Sequence, residues 1–264
     1  MTLNIVSSFN GVSDPDAAAY IEAVEAADGQ LLEFGVGKAI NDFVVGCKFD
    51  GIWDAIKASC ILAGARTLSG ALVPLKGTAP TNYNFVAGDY DRKTGLVGDG
   101  STKYLDSNRN NNADPQNSKH LSVYATTVSN ANQAFAAARK SSVDNTGQTS
   151  LTSLSNGATS GRANAETPQN GASLPINSST FIGVARLNST QVVYRIIGTN
   201  YTGSITSQTP AANSTGIFAR KSGTVFDAFT ASRFSFYSIG EALDLALLDS
   251  RVTNLITAFG AAIP

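Results

Sequence analysis

The chain has 264 residues, a formal net charge of −1, 42% hydrophobic residues and only 15% charged ones. That composition excludes a disordered polymer, and the charge balance offers nucleic acid no electrostatic footing. The length suits one large domain or two smaller ones, with ample material for a core.

From Asp14 to about Gly64 the pattern is helical. In SDPDAAAYIEAVEAADG, Asp14 reads as the N-cap, Pro15 as the first helical residue and Gly29 as the stop. Ala17, Tyr20, Ile21, Val24 and Ala27 share one face. A second helix is expected from Leu31 to Cys47, striped by Leu32, Val36, Ile40, Phe43, Val44 and Cys47. Gly35 and Gly37 weaken it by about 1 kcal/mol each relative to Ala. A third, short helix is expected after Asp50, with Ile52, Trp53, Ile56 and Cys60 as its apolar residues. About fifty residues make a marginal core, so this segment needs a partner surface.

From about Thr67 to Phe236 short alternating runs take over. KYLDS, HLSVYATT, TFIGVARL, QVVYRIIG, TGIFARK and RFSFYS read as strands separated by Gly, Asn, Pro and Ser. In the last of them Phe234 and Phe236 are expected on one face, with Arg233, Ser235 and Tyr237 on the other. Ser141 to Thr180 is the most polar stretch and reads as long loops around one or two short strands. Regular strands with polar turns predict a mainly β chain, an antiparallel sandwich or jelly roll.

The end of the chain reads as a helix entered through a Ser238–Glu241 capping box. Leu248, Val252, Leu255 and Phe259 recur at helical spacing. Two roles are open for this stripe: packing against the N-terminal helices or the sandwich, and contact between subunits. The expected divisions are residues 1–66, a helical anchoring and oligomerisation region; 67–237, the sandwich; and 238–264, the terminal helix.

Few residues invite chemistry. His120 is the single histidine and begins a predicted strand; no G-x-S-x-G elbow accompanies it, so it reads as structural or surface. Cys47 and Cys60 read as two buried thiols. GVGK at Gly35–Lys38 fails the phosphate-loop pattern, because Leu32 and Ala39 stand where Gly and Ser or Thr belong. Zinc has no recognised ligand spacing. Asp89, Asp91, Asp99 and Asp106 are weak calcium candidates, since EF-hand spacing is absent and aspartate is also a turn residue. No strand carries the alternating carboxylates a glycosidase would need. No cofactor is expected and no catalytic residue emerges.

DSNRNNNADPQNSKH, between two strands, reads as an exposed connection. Asn108, Asn110, Asn111, Asn112, Asp114 and Asn117 are the candidates for hydrogen bonds to sugar hydroxyls, with a plain solvated turn as the alternative. No apolar run reaches membrane-spanning length, and MTLNIVSSFNG lacks the basic and long apolar regions of a secretion signal. The expectation is a soluble chain made in a cytoplasm.

GLVGDGSTKYLDSN followed by a strand, and the later F-x-F-Y-S-I-G-E-A-L, resemble landmarks of the concanavalin-like, laminin-G-type jelly roll over roughly Leu72 to Leu243. Two positions depart from it: Gly98 stands where an aromatic is common, and Glu241 replaces a frequent Arg. With AINDFVVGCKFDGIWDAIKASCILAGARTLSGALVPL, the whole also resembles virion proteins of tailed bacteriophages and prophages. The resemblance implies a non-enzymatic virion protein, a tail-fibre or baseplate appendage with a lectin-like, host-facing domain. A capsid decoration or head-fibre protein and a non-viral carbohydrate-binding module are the alternatives. Expected partners are other virion proteins, met through the N-terminal helices, further copies of the chain, with a trimer favoured, and a host surface glycan. Neither nucleic acid nor membrane insertion is expected.

Overall fold

The computed structural model describes residues 11–129 and 131–264, so most of the stretch searched for a secretion signal lies outside it. Helix α1 (Pro15–Asp28) begins and ends on the expected signals. Asp14 accepts from the amides of Asp16 and Ala17, and Gly29 takes a left-handed φ of 64°. Helix α2 (Phe34–Phe49) starts later than expected and buries Val36, Ile40, Phe43, Val44 and Cys47 of the expected stripe, with Leu32 buried ahead of its first turn. A short α3 (Leu68–Ala71) and the terminal α4 (Leu245–Ala262) complete the α-helices among the described residues. None is long and apolar enough to cross a membrane.

The strands run along the chain as β1 (Ile56–Ile61), β2 (Pro74–Lys76), β3 (Thr81–Tyr83), β4 (Tyr90–Asp91), β5 (Gly95–Val97) and β6 (Tyr104–Asn110). Next come β7 (Lys119–Thr127), β8 (Gln133–Arg139), β9 (Thr149–Ser153), β10 (Thr159–Arg162), β11 (Gln169–Asn170) and β12 (Thr180–Arg186). The last are β13 (Gln191–Ile196), β14 (Thr199–Ser204), β15 (Ser214–Ile217), β16 (Arg220–Ser222), β17 (Val225–Asp227) and β18 (Arg233–Gly240). They form two sheets. Sheet A has the order β14-β13-β12-β7-β18-β1-β2, with β4 and β5 attached to β18; sheet B has the order β11-β10-β9-β8-β15-β6-β3, with the β16–β17 hairpin joined to β8. Pairing is antiparallel throughout except between β16 and β8. The result is an antiparallel β-sandwich of jelly-roll type with helices from both ends of the chain.

Three layers follow from where the apolar side chains point. Leu121, Val123, Ile182, Val184, Tyr194 and Phe234 of sheet A meet Leu105, Phe135, Leu151 and Ile217 of sheet B in a core between the sheets. The opposite face of sheet A is apolar too: Tyr124, Phe181 and Phe236 pack under α1, α2 and α4. Phe43 of α2 meets Phe236 edge to face at 5.7 Å. Gly35 lets α4 close on α2, since a Cβ there would stand 2.7 Å from that of Ala262. Asp50 clamps Arg251 with two hydrogen bonds of 2.7 and 2.9 Å. Sheet A is covered on both faces, whereas the middle of the outer face of sheet B, at Asp106, Ala137 and Ser150, is buried, with Phe226 of β17 lying over Gly216.

Four expectations change. The third helix is a strand: after one turn at Trp53–Ala55, β1 pairs with β18, sending Ala58 and Cys60 into the inter-sheet core and Ile56 and Ile61 under the helices. The division at residue 66 therefore cuts through the sandwich, because the N-terminal region supplies a strand from within sheet A. In β18 a bulge between Phe234 and Phe236 breaks the expected alternation, turning Phe234 and Tyr237 to the inter-sheet core and Phe236 to the helices. The division at residue 238 moves as well. β18 continues to Gly240, Ser238 bonds His120, Glu241 pairs with Lys57, and Asp244 caps α4 by accepting from the amides of Ala246 and Leu247.

The stripe Leu248, Val252, Leu255 and Phe259 is no more than 2% exposed. It is spent on the chain's own helical layer, so these residues do not form the subunit contact that the trimer expectation relied on. Full burial of each stabilises the fold by about 1.5–3 kcal/mol.

Candidate ligand-binding groove

A groove of about 600 Å³ lies on sheet B, reached from its outer face. Its walls come from the start of β8, the β9–β10 hairpin and β11. Asn132, Gln133, Thr152, Ser153, Thr159, Ser160, Asn170, Arg162 and Arg220 are the polar side chains that line it. Among the lining residues there is no carboxylate, cysteine or histidine.

Strand register explains which groups face outward. Gly161 opposes Leu151 on the inner side, where a Cβ would stand 2.5 Å from the Tyr194 ring of sheet A. Its neighbours Ser160 and Arg162 must therefore point outward, opposite Thr152 and Ser150. The Arg162 row continues through Ala137, Gly216 and Asp106 to Thr81. Small residues floor the middle of this row, and Phe226 of the β16–β17 hairpin lies over Gly216. Farther along the same outer face, Tyr83 stacks on Tyr104 at 4.5 Å and Tyr104 on Phe226 at 4.1 Å.

The groove's polar groups are held in place. Ser129 donates to Gln133 Oε1 at 2.7 Å, Gln133 Nε2 donates to Ser153 Oγ at 3.1 Å, and the Thr152 and Ser160 hydroxyls share a 3.0 Å bond. Arg220 Nε donates to Asp227 Oδ1 at 2.7 Å, and Arg139 Nη2 to Asp227 Oδ2 at 3.1 Å. Arg162 Nε donates to the Glu166 carbonyl at 2.8 Å. Burial, with Arg220 and Arg139 close by, pushes the Arg162 guanidinium below its ordinary range.

The asparagine tract does not form one site. Asn111 is fully buried, its Nδ2 donating to Gly147 O and Asn164 Oδ1, both at 3.1 Å. Asp114 is buried against Lys119 and Arg109. These two candidates are therefore structural, because their hydrogen-bonding capacity is turned inward. Asn112 and Asn117 are exposed. Asn108 and Asn110 line a separate recess of about 250 Å³ with Lys57, Gly77 and Arg109.

The four aspartates considered for calcium are engaged separately. Asp89 pairs with Lys103, and Asp106 with Lys221 at 2.8 Å. Asp91 accepts from the amides of Lys93 and Thr94. Asp99 accepts from the amides of Ser101, Thr102 and Lys103; burial opposes its charge, but these bonds and the Thr102 hydroxyl hold it well below the usual carboxylate range. Among the described residues no three acidic, cysteine or histidine side chains converge.

The remaining reactive groups are interior. Burial raises both thiols, Cys47 and Cys60, to about 12. His120 is fully buried, with Nδ1 2.6 Å from the Glu241 carbonyl and Nε2 2.6 Å from Ser238 Oγ. A carbonyl only accepts, so Nδ1 carries the proton and Nε2 accepts from the serine.

No protein-family model and no curated protein matches this sequence. Among solved structures the fold is similar to a Trypanosoma rangeli sialidase, with a TM-score of 0.50 at 10% identity over 78% of this chain and 32% of that one. It is also similar to the CBM40 of a Ruminococcus gnavus IT-sialidase, with a TM-score of 0.41 at 11% identity over 56% of this chain and 85% of that one. A third similar structure is an SAP-like pentraxin of Limulus polyphemus, with a TM-score of 0.37 at 13% identity over 50% of this chain and 68% of that one. The chain spans 24% to 32% of the sialidase chains it matches. At these identities the likeness concerns the fold alone.

Proposed function

We propose that this chain is a non-enzymatic, glycan-binding structural protein of a tailed-phage virion, an appendage whose sheet B groove meets host sugars. The observation that carries the binding reading is the groove itself. It opens to solvent, and pre-positioned hydroxyl, amide and guanidinium groups wall it, which is the lining that fixes the orientation of a polyhydroxyl ligand. Binding rather than turnover is the reading that suits a lining of hydrogen-bonding groups without an acid–base pair. The virion setting rests on the sequence resemblance. The helical layer supports a division of labour, because it lies across sheet A while the groove opens on sheet B, leaving α2's exposed Phe34, Val45 and Phe49 for contacts with other virion proteins.

Ser160→Trp should fill the groove, since Ser160 lies between Thr152 and Asn170 on adjacent strands. Binding of the wild-type chain to an immobilised oligosaccharide panel is expected, with loss in the variant at an unchanged melting temperature. Equal binding by both would exclude this groove. Mass spectrometry of purified phage particles checks the virion assignment, and absence of the chain from particles would remove it.

A further inference from the structure

We propose that the groove selects an acidic sugar, whose carboxylate sits on the guanidinium fork of Arg162 beside Arg220. The inference rests on the glycan-binding reading above and names the ligand class. Two guanidiniums, from Arg162 and Arg220, line the groove, with Arg139 close by but buried outside the lining; Asp227 bonds Arg139 and Arg220, and the Glu166 charge also acts on Arg162. Among the described residues no carboxylate pairs with Arg162 at ion-pair distance, Glu166 acting on it only from farther off; its Nε is held by the Glu166 carbonyl, which leaves the terminal nitrogens for a ligand. The surplus is local, since the chain as a whole carries −1. A second observation points to the same spot. Ser150, cross-strand partner of Arg162 on the same face, is 0% exposed, and its Oγ lacks a hydrogen-bond partner among the described residues.

A planar guanidinium matches a carboxylate with two parallel bonds, a geometry no neutral sugar hydroxyl can use. The hydroxyl and amide walls suit the rest of a sugar ring. A polyphosphate or nucleic acid would call for a run of cations, and the groove instead offers two arginines at one end of a neutral polar cleft.

Calorimetry tests this with three oligosaccharides of equal length: a uronic-acid oligomer, the same oligomer after reduction of its carboxyls, and a sulfated one. The wild-type chain should bind the carboxylated form at least ~10-fold more tightly than the reduced form, with the preference shrinking as salt rises. Arg162→Gln should erase that preference by weakening the carboxylated oligomer far more than the reduced one; Arg162→Lys should restore only part of it. Thermal melting of each variant separates loss of the fork from loss of the fold. Equal affinity for charged and reduced oligomers, tighter binding of the sulfated form, or an Arg162→Gln variant that keeps the preference overturns the assignment while leaving glycan binding in place. Failure to bind any oligomer, the reduced one included, overturns both.

Discussion

Lys119 and Asp114 form an ion pair from which water is excluded: Nζ lies 2.6 Å from Oδ2, and the side chains are 0% and 1% exposed. Burial opposes the charge on Asp114, but Arg109 and Lys119 together outweigh it and hold the carboxyl below its usual range. The pair ties the asparagine tract to the start of β7, and Lys119 Nζ also donates to the Asn111 carbonyl at 3.3 Å. Removing one partner strands the other charge, which costs about 3–5 kcal/mol. Asp114→Ala should lose that much in urea unfolding, and the double variant Asp114→Ala with Lys119→Met should lose less than the single one. A single-variant loss under ~1 kcal/mol would show that the pair does not hold the loop.

Adjacent asparagines should behave in opposite ways. Asn111→Ala removes two buried hydrogen bonds, after which Gly147 O keeps the Ala211 amide and Asn164 Oδ1 keeps the Thr149 hydroxyl, at a cost of about 1–3 kcal/mol for the pair. Asn112→Ala, at the surface, should stay within ~0.5 kcal/mol. Denaturant midpoints of the two variants check this. Equal losses would show that burial does not separate them.

His120 links stability to acid. Burial pushes its pKa down from 6.5 to about 4, so between those values the unfolded chain takes up a proton that the folded chain refuses. Its neutral form is matched to the fold above pH ~6.5, and stability falls as pH drops toward ~4, by about 3 kcal/mol in all. Replacement by Asn should cost stability at pH 7 and remove this part of the pH slope between pH 6.5 and 4. Unfolding free energies measured across that interval check the sign, and an unchanged slope would place the acid sensitivity elsewhere.

Sequence alone revealed what repeats at a fixed period. The caps at Asp14 and Gly29, the stripe of α2 and the strands around Val123, Val184 and Val192 were legible because each buries side chains at its own spacing. β1 was hidden because buried on both faces it shows no alternation, and its apolar residues also fit a helix. β8, whose sequence QAFAAAR is rich in helix formers, was not among the expected strands, and tertiary pairing overrides that preference.

The groove lies mostly in the stretch that looked least structured. Its strands β9 and β10 carry Ser and Thr outward and Gly161 inward, so hydrophobic patterning is faint. One local signal was present: Asn156–Gly157, with Gly157 at a φ of 80°, turns between the two strands. Arg162 could not have been singled out, because its proximity to Arg220 and Arg139 arises from strand pairing across distant parts of the chain.

The place of β18 between β7 and β1 sets the order in which the polypeptide can be completed. β1 emerges from the ribosome some 170 residues before the strand that must lie beside it. Until Arg233–Gly240 is synthesised, β1 and β7 each present an unpaired edge, and the apolar undersides of α1 and α2 wait for α4, made later still. Closure of sheet A is therefore a late, long-range event, and a nascent chain stalled before residue 233 holds sticky strand edges that only a chaperone or a neighbouring nascent chain can cover.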